Sequence, residues 1–200
     1  MPAESEKSKM NKKIDPRTQK TRKSLQDALA VLLAEKALRK ITVQEVADIA
    51  HVNRVTFYKH NRDIYDLYEQ MEKDILAELG MLILDYQNKT KPDFCYALID
   101  YIEKNPKTFK MIFSPHNTGE MRDKFCKMVE GLFRLMQTEK NNTQLNDVKI
   151  DYYTTYQSKA FVALLEKWVQ EDFVQSRDFI IKTAAEFDTH TEELIANLYS

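Results

Sequence analysis

The sequence predicts an all-α fold, and three observations predict it. Glycine and proline, which β-rich chains use heavily in their turns, number only 3 and 5 in 200 residues. Long stretches are built from Leu, Ala, Glu, Lys and Gln, all good helix formers. Apolar residues recur at spacings of 3 and 4 in one segment after another, the period of a helix with one buried face. Hydrophobic residues make up 43% of the chain and charged ones 30%, the balance of a folded protein with a core. About nine helices are expected.

Residues 1–14 read as a disordered basic arm: Lys7, Lys9, Lys12 and Lys13 stand among residues with little to bury. Order should begin at Asp15-Pro16, a capping acceptor followed by proline at the first helical position. The first helix then runs to about Ala37 with Leu25, Ala28, Leu29, Leu32 and Leu33 on one face. Arg17, Lys20, Arg22 and Lys23 crowd its first turns, where cations oppose the helix dipole. A nearby phosphate accounts for them better than helix stability does.

Thr42-Val-Gln-Glu45 has the form of a capping box and opens a second helix, with Val43, Val46, Ala47 and Ala50 facing inward. His51-Val52-Asn53 breaks the pattern, and Asn53 can cap a short third helix from Arg54 to about His60. A fourth helix starts near Asp63 and carries Ile64, Leu67, Met71, Ile75, Leu79, Leu82 and Tyr86, some six turns in all. Further helices follow: one opened by Pro92, one capped by Asn105-Pro106 that stops near Ser114-Pro115, and one after Asn117-Thr-Gly-Glu120 running through Met136. Residues 137–147 read as a polar loop. The last two helices span about Val148–Glu171 and Arg177–Tyr199. The chain divides accordingly into the arm (1–14), a helix-turn-helix domain (15–63) and a helical effector and dimerisation domain (64–200).

Charge follows the same division. Residues 1–63 hold 14 Lys/Arg against 8 Asp/Glu, a net of +6, and residues 64–200 the remaining 16 against 23, a net of −7. A basic segment ahead of an acidic one suits a partner that is a polyanion. No stretch approaches the roughly 20 apolar residues of a membrane helix, so no membrane partner is expected. Cys95 and Cys126 have neither metal-ligand nor redox spacing. They read as free thiols, which with a polar N-terminus fits a cytoplasmic location.

Function concentrates in residues 42–60, two short helices joined by a tight turn, the plan of a helix-turn-helix whose second helix enters the DNA major groove. Val46, Ala47, Val52 and Phe57 supply the wedge between the helices. Asn53, Arg54, Val55, Thr56, Tyr58 and Lys59 are left to project outward. Arginine reads guanine edges, Asn and Thr are adaptable donors, and a valine methyl can touch thymine. Tyr58, Lys59 and His60 stand where they can meet phosphate oxygens.

The segment ITVQEVADIAHVNRVTFYKH at 41–60 resembles the DNA-binding motif of the TetR family of bacterial regulators. The family pattern is I-T-hydrophobic, A-x-x-A, then x-V-S/N-x-x-T-hydrophobic-Y-x-H. The resemblance implies phosphate contacts from Thr42, Tyr58 and His60, and base or mixed contacts from Arg54, Val55, Thr56 and Lys59. It departs at two places. His51 stands where the family has glycine, a turn position that tends to need φ > 0, which histidine tolerates at a cost. Asn61 replaces the usual apolar residue, which should weaken packing of the third helix on the fourth. The segment ALLEKWVQEDF at 163–173 is similar to a Firmicutes-type branch that includes dihydroxyacetone-kinase regulators.

The same resemblance implies a homodimer through the last two helices. Tyr153, Tyr156, Ala160, Leu164 and Trp168 form one stripe there, and Phe179, Thr183, Ala184, Phe187, Leu194 and Leu198 another. A small-molecule or protein effector is left open, with the mid-chain aromatics Tyr86, Phe94, Tyr96, Tyr101, Phe109, Phe113, Phe125 and Phe133 as pocket candidates, although residues at helical spacing more often serve simply as core. An enzyme is not expected: no Gly-rich phosphate loop, nucleophile elbow or metal motif is present, His116 and His190 stand singly, and no cofactor is implied. The expected function is a regulator, most simply a repressor released by an effector, that binds pseudo-palindromic operator DNA. The alternatives are a helical interaction protein that has lost specific DNA binding, or an activator working with a partner protein.

Overall fold

A computed structural model describes residues 15–86, 89–116, 118–141 and 148–199, and among these every regular element is helical. Nine α-helices follow in order: α1 Pro16–Glu35, α2 Val43–Ile49, α3 Arg54–His60, α4 Ile64–Tyr86, α5 Lys91–Lys104, α6 Pro106–Ile112, α7 Glu120–Asn141, α8 Val148–Gln170 and α9 Arg177–Tyr199, with a 3-10 turn at Leu38–Lys40. The basic arm, Asn117, residues 142–147 and the side chains of Tyr86, Leu194 and Leu198 lie outside the described residues.

Local chemistry sets most of the boundaries. Asp15 accepts from the Arg17 amide at 3.0 Å and so starts α1 one residue ahead of the proline. The α1 stripe is buried as its period requires, and the helix ends at Glu35, two residues before the expected end, with the 3-10 turn after it. Thr90 and Asp93 form a capping box that opens α5, one residue ahead of Pro92. Asn105 does not cap α6 with its side chain: its Nδ2 donates backwards to the Tyr101 carbonyl at 2.9 Å, closing α5. Residues 137–141 belong to α7 rather than to a loop, because Gln137 is buried against the helical core.

One core runs through the molecule. α1 packs on α2, α4 and α6, and α7 lies along α8, which in turn packs on α9. Leu67, Met71, Ile75 and Leu79 carry this core along α4, which at about 1.5 Å per residue reaches some 34 Å. Phe94, Phe109, Phe113, Phe125 and Phe133 are all at most 3% exposed. Their rings meet mostly edge to face at centroid separations of 5.7–6.3 Å. These aromatics fill the middle of the bundle, and of them Phe133 alone also lines an open cleft toward the end of the molecule; Tyr96 is exposed, and Tyr101 donates to Glu78 at 2.6 Å.

Two polar grips tie α1 to the rest. Asp74 on α4 accepts from Arg22 at 2.7 Å and from Gln26 at 2.7 Å. Ser114, just beyond α6, donates its hydroxyl to the Ala34 carbonyl at 2.9 Å. Arg22 is therefore an intramolecular partner rather than the phosphate ligand expected of it, and Lys23 pairs with Asp27 at 3.3 Å. Arg17 and Lys20 are exposed and form no ion pair among the described residues.

Candidate nucleic-acid interface

The site is built on caps. The hydroxyl of Thr42 accepts from the Glu45 amide at 3.3 Å while the Glu45 carboxylate accepts from the Thr42 amide at 2.9 Å, so α2 starts with both orphan amides satisfied. Lys36, at the end of α1, also pairs with Glu45. Its hydrogen bond, followed by those from Thr42, holds the Glu45 carboxyl down at about 2. The capping box thereby anchors α2 to α1.

The reversal between α2 and α3 is a Schellman motif. The His51 amide donates to the Asp48 carbonyl at 3.2 Å and the Val52 amide to the Ala47 carbonyl at 2.9 Å. Its geometry requires a left-handed residue at His51, and φ there is +55°. The glycine position of the family pattern thus keeps its backbone conformation with a histidine in it. Two residues later Asn53 accepts from the Val55 amide at 2.8 Å and starts α3.

These constraints fix what α3 shows. Phe57 is fully buried with Val46 and Ala47, so the opposite face must point out. Arg54, Val55, Tyr58 and Lys59 are exposed there, with Asn53 exposed at the cap and Thr56 and His60 half-buried. Tyr58 meets the buried Phe57 ring edge to face at 5.4 Å, which restricts where its hydroxyl can go. Thr42 lies at the start of α2 on the surface, but its hydroxyl is engaged, donating to Glu45 at 2.9 Å. All eight residues read from the sequence therefore lie on α3 or on the caps before α2 and α3. Two exposed cations missed by sequence reading, Arg39 and Lys40, occupy the 3-10 turn directly ahead of Thr42. The LRK tripeptide preceding the Ile41-Thr42 start was the available sign of them.

Asn61 corrects an expectation. It is 4% exposed and forms the C-cap of α3, its amide donating to the Phe57 carbonyl at 2.9 Å. Phe57, Ile64 and Leu67 around it are closed from solvent, so the junction of α3 and α4 is packed despite the polar residue.

At the other end of the chain, Tyr152, Tyr156, Phe179 and Phe187 are more than half exposed, and Ala160 is also exposed. Trp168 departs from the stripe expected for it. It is 1% exposed, donates its indole N–H to the Gln175 carbonyl at 2.8 Å and meets Phe173 at 4.9 Å. A second Schellman motif, Phe173 amide to Trp168 carbonyl and Asp172 amide to Val169 carbonyl, places that contact. Among the described residues no helix is long and apolar enough to cross a membrane, and no cluster of three metal-ligating side chains is found.

Comparison with known proteins agrees with this architecture. A TetR-type family model described as "Transcriptional regulator C-terminal region" matches residues 89–189. The HTH-type transcriptional regulator YxbF of Bacillus subtilis (strain 168) is 23% identical over 164 residues. That match takes in 78% of this chain, which spans only 41% of that relative's length. The solved structure of the dihydroxyacetone kinase operon activator DhaS superposes with a TM-score of 0.60 at 17% identity, over 87% of this chain and 97% of that one. A TetR regulator from Streptococcus agalactiae 2603V gives 0.59 at 21% identity over 86% and 94%. The fatty acid degradation regulator FadR of Bacillus halodurans gives 0.64 at 13% identity over 88% and 95%. With residues 89–189 matched by the family model and the helices of its described residues arranged as in these regulators, the chain belongs to the TetR family of transcriptional regulators.

Proposed function

We propose that this regulator acts as a homodimer that reads a pseudo-palindromic operator, residues 15–63 forming the reading unit and residues 64–200 the effector and dimerisation unit. One observation carries the DNA-binding part. Two capped helices joined by a rigid reversal bury Phe57 and leave Arg54, Val55, Tyr58 and Lys59 on a single exposed face. Arg54 and Val55, in the first turn of α3, are placed to meet base edges, where a guanidinium can take guanine bidentately and the methyls can meet thymine. Asn53 and Thr56 flank them. Lys59, Tyr58, His60 and Thr42 are placed for the phosphate backbone, which fixes register without reading sequence.

Dimerisation is supported by the exposed apolar side chains of Val148, Tyr152 and Tyr156 on α8 and Phe179 and Phe187 on α9, since clustered exposed apolar side chains mark interfaces. Two recognition helices about one DNA turn apart, ~34–36 Å, would then match an inverted repeat. An effector that binds the wrong-spaced state more tightly releases the DNA, and repression with effector release is the simplest behaviour of such a pair.

The test is selection of operator sequences from random duplex DNA by the purified protein, with salt-dependent binding to the winner. A recovered inverted repeat bound by two chains is the expected result. Binding that is equal on the winner and on a scrambled duplex would leave a helical interaction protein in place of a sequence reader.

A further inference from the structure

We propose that an open cleft between α5, α8 and α9 binds a neutral, largely apolar small molecule that carries a hydrogen-bond donor, with Gln157 as the acceptor. The cleft holds about 550 Å³, within the ~300–1,000 Å³ of small-molecule sites. It exists because four of its lining side chains are alanines, Ala160 and Ala163 on α8 and Ala184 and Ala185 on α9. Phe133, Phe161 and Ile181, all buried, close its apolar wall.

Its polar end is specific. Gln157 is 7% exposed and lines the cleft. Its Nε2 donates to Tyr153 Oη at 2.7 Å and to the Asp188 carboxylate. A carboxylate only accepts, so this contact fixes which end of the amide is the nitrogen. The other end, Gln157 Oε1, is buried with no hydrogen-bond partner. A buried acceptor left unmade is costly, and a donor arriving in the cleft would satisfy it.

The surrounding charges choose a neutral head. Lys91 pairs with Asp188 at 2.6 Å and lies over the Phe133 ring at 4.4 Å. Lys167 pairs with Glu171 at 2.5 Å. Both cations at the cleft are already matched, so an anionic head finds no spare positive charge. Cys95, which also lines the cleft, is an apolar liner rather than a nucleophile: burial pushes its thiol up to about 12.

A second copy of the chain is the competing occupant, because Tyr156, Ala160, Leu164, Ala184 and Phe187 belong both to the cleft lining and to the proposed dimer face. The small molecule is favoured by Gln157 Oε1, a single buried acceptor on the cleft wall, which calls for one donor inserted deeply rather than for a flat helix face. The cleft's role as the effector seat rests on the effector-controlled reading above; its occupancy does not.

The experiment titrates the full-length protein with 1-aminoanthracene, a neutral apolar amine whose fluorescence rises on burial. Dodecan-1-ol, dodecanoate and anthracene serve as competitors. One probe per chain is expected, displaced by the alcohol at lower concentration than by the carboxylate or by anthracene. Gln157→Leu should weaken the probe about 2–12-fold, the worth of one hydrogen bond, and Ala163→Trp should abolish binding by filling the space. Circular dichroism confirms that each variant is folded. Equal binding to wild type and Ala163→Trp would overturn the proposal. So would probe affinity that falls as light scattering shows the chain passing from monomer to dimer, since a second copy would then be the occupant. Operator binding is followed in parallel. Ligand binding that leaves operator affinity unchanged would overturn the effector role, whereas failure to select any operator would count against the DNA-reading function and leave the cleft standing.

Discussion

Replacing His51 by glycine isolates the conformational cost at the turn of the reading head. His51 has φ of +55°, is exposed, and its ring makes no hydrogen bond among the described residues. The substitution therefore changes backbone energetics and little else. An L residue in the left-handed region costs about 1–2 kcal/mol, and histidine lies at the tolerant end of that range. Glycine removes this cost but gains more freedom in the unfolded chain, worth about 0.5–1 kcal/mol against it. The difference is a net gain of up to about 0.5 kcal/mol, which for a chain of this length raises Tm by roughly 2 °C at most. Thermal melts at one fixed protein concentration measure it, since association would otherwise shift Tm. His51→Val supplies the opposite arm: a β-branched residue at positive φ is a true outlier and should melt below wild type. A His51→Gly protein less stable than wild type would refute the reasoning, because the histidine side chain would then be making an interaction that outweighs its backbone strain.

Other outcomes follow from the same geometry. Arg54→Ala should cost about 1–3 kcal/mol on the selected operator and relax one symmetric pair of positions. Lys59→Ala should instead weaken all DNA alike and lower the salt slope by about 1 for each phosphate that is no longer neutralised. Equal losses on operator and scrambled DNA for Arg54→Ala would make it a phosphate clamp. Phe179→Asp alters a side chain that is 51% exposed in the single chain, so it should leave helicity intact while shifting the protein to monomer by light scattering and weakening operator binding. The Glu45 carboxyl, held at about 2 chiefly by Lys36, contributes stability that is present above its unfolded value of about 4.5 and lost as the pH falls toward 2. Glu45→Gln should therefore melt below wild type at pH 6, and the gap should narrow as both are titrated to pH 2.5. A gap that stays constant would assign the effect to packing rather than charge.

Features decided by neighbouring residues were legible before the fold was known. Asp15, Thr42 and Asn53 are acceptors immediately ahead of helical runs, and each caps the helix expected of it. The left-handed turn at His51 followed from the family pattern, and the motif's spacing placed Arg54, Val55, Tyr58 and Lys59 on one exposed face. Features decided across long sequence separations were not. Arg22 looked like a phosphate ligand because Asp74, its partner, lies 52 residues away. Trp168 fell on the outward stripe by period alone, yet the reversal at Asp172 and Phe173 folds the chain back over it. Asn61 was judged by side-chain type, whereas its backbone role as the end of α3 decides its burial. The cleft depends on alanines from two helices meeting the start of a third, a coincidence that no local pattern records.

The two grips on α1 have a mechanical consequence. Arg22 and Ala34 are held by α4 and by the end of α6 at points 12 residues apart, about 18 Å along the helix at ~1.5 Å per residue. Between those points Leu25, Leu29 and Leu33 are buried in the core, so α1 cannot roll about its own axis without unpacking them. α2 is clamped to α1 through the Lys36–Glu45 pair, and α3 is set on α2 by the Schellman turn. The head formed by α1, α2 and α3 therefore moves as one piece, and tilting or sliding it requires release of Asp74 or Ser114. In the proposed regulator, a displacement arriving through α4 and α6 would carry the whole head with it, and severing either grip would loosen that link.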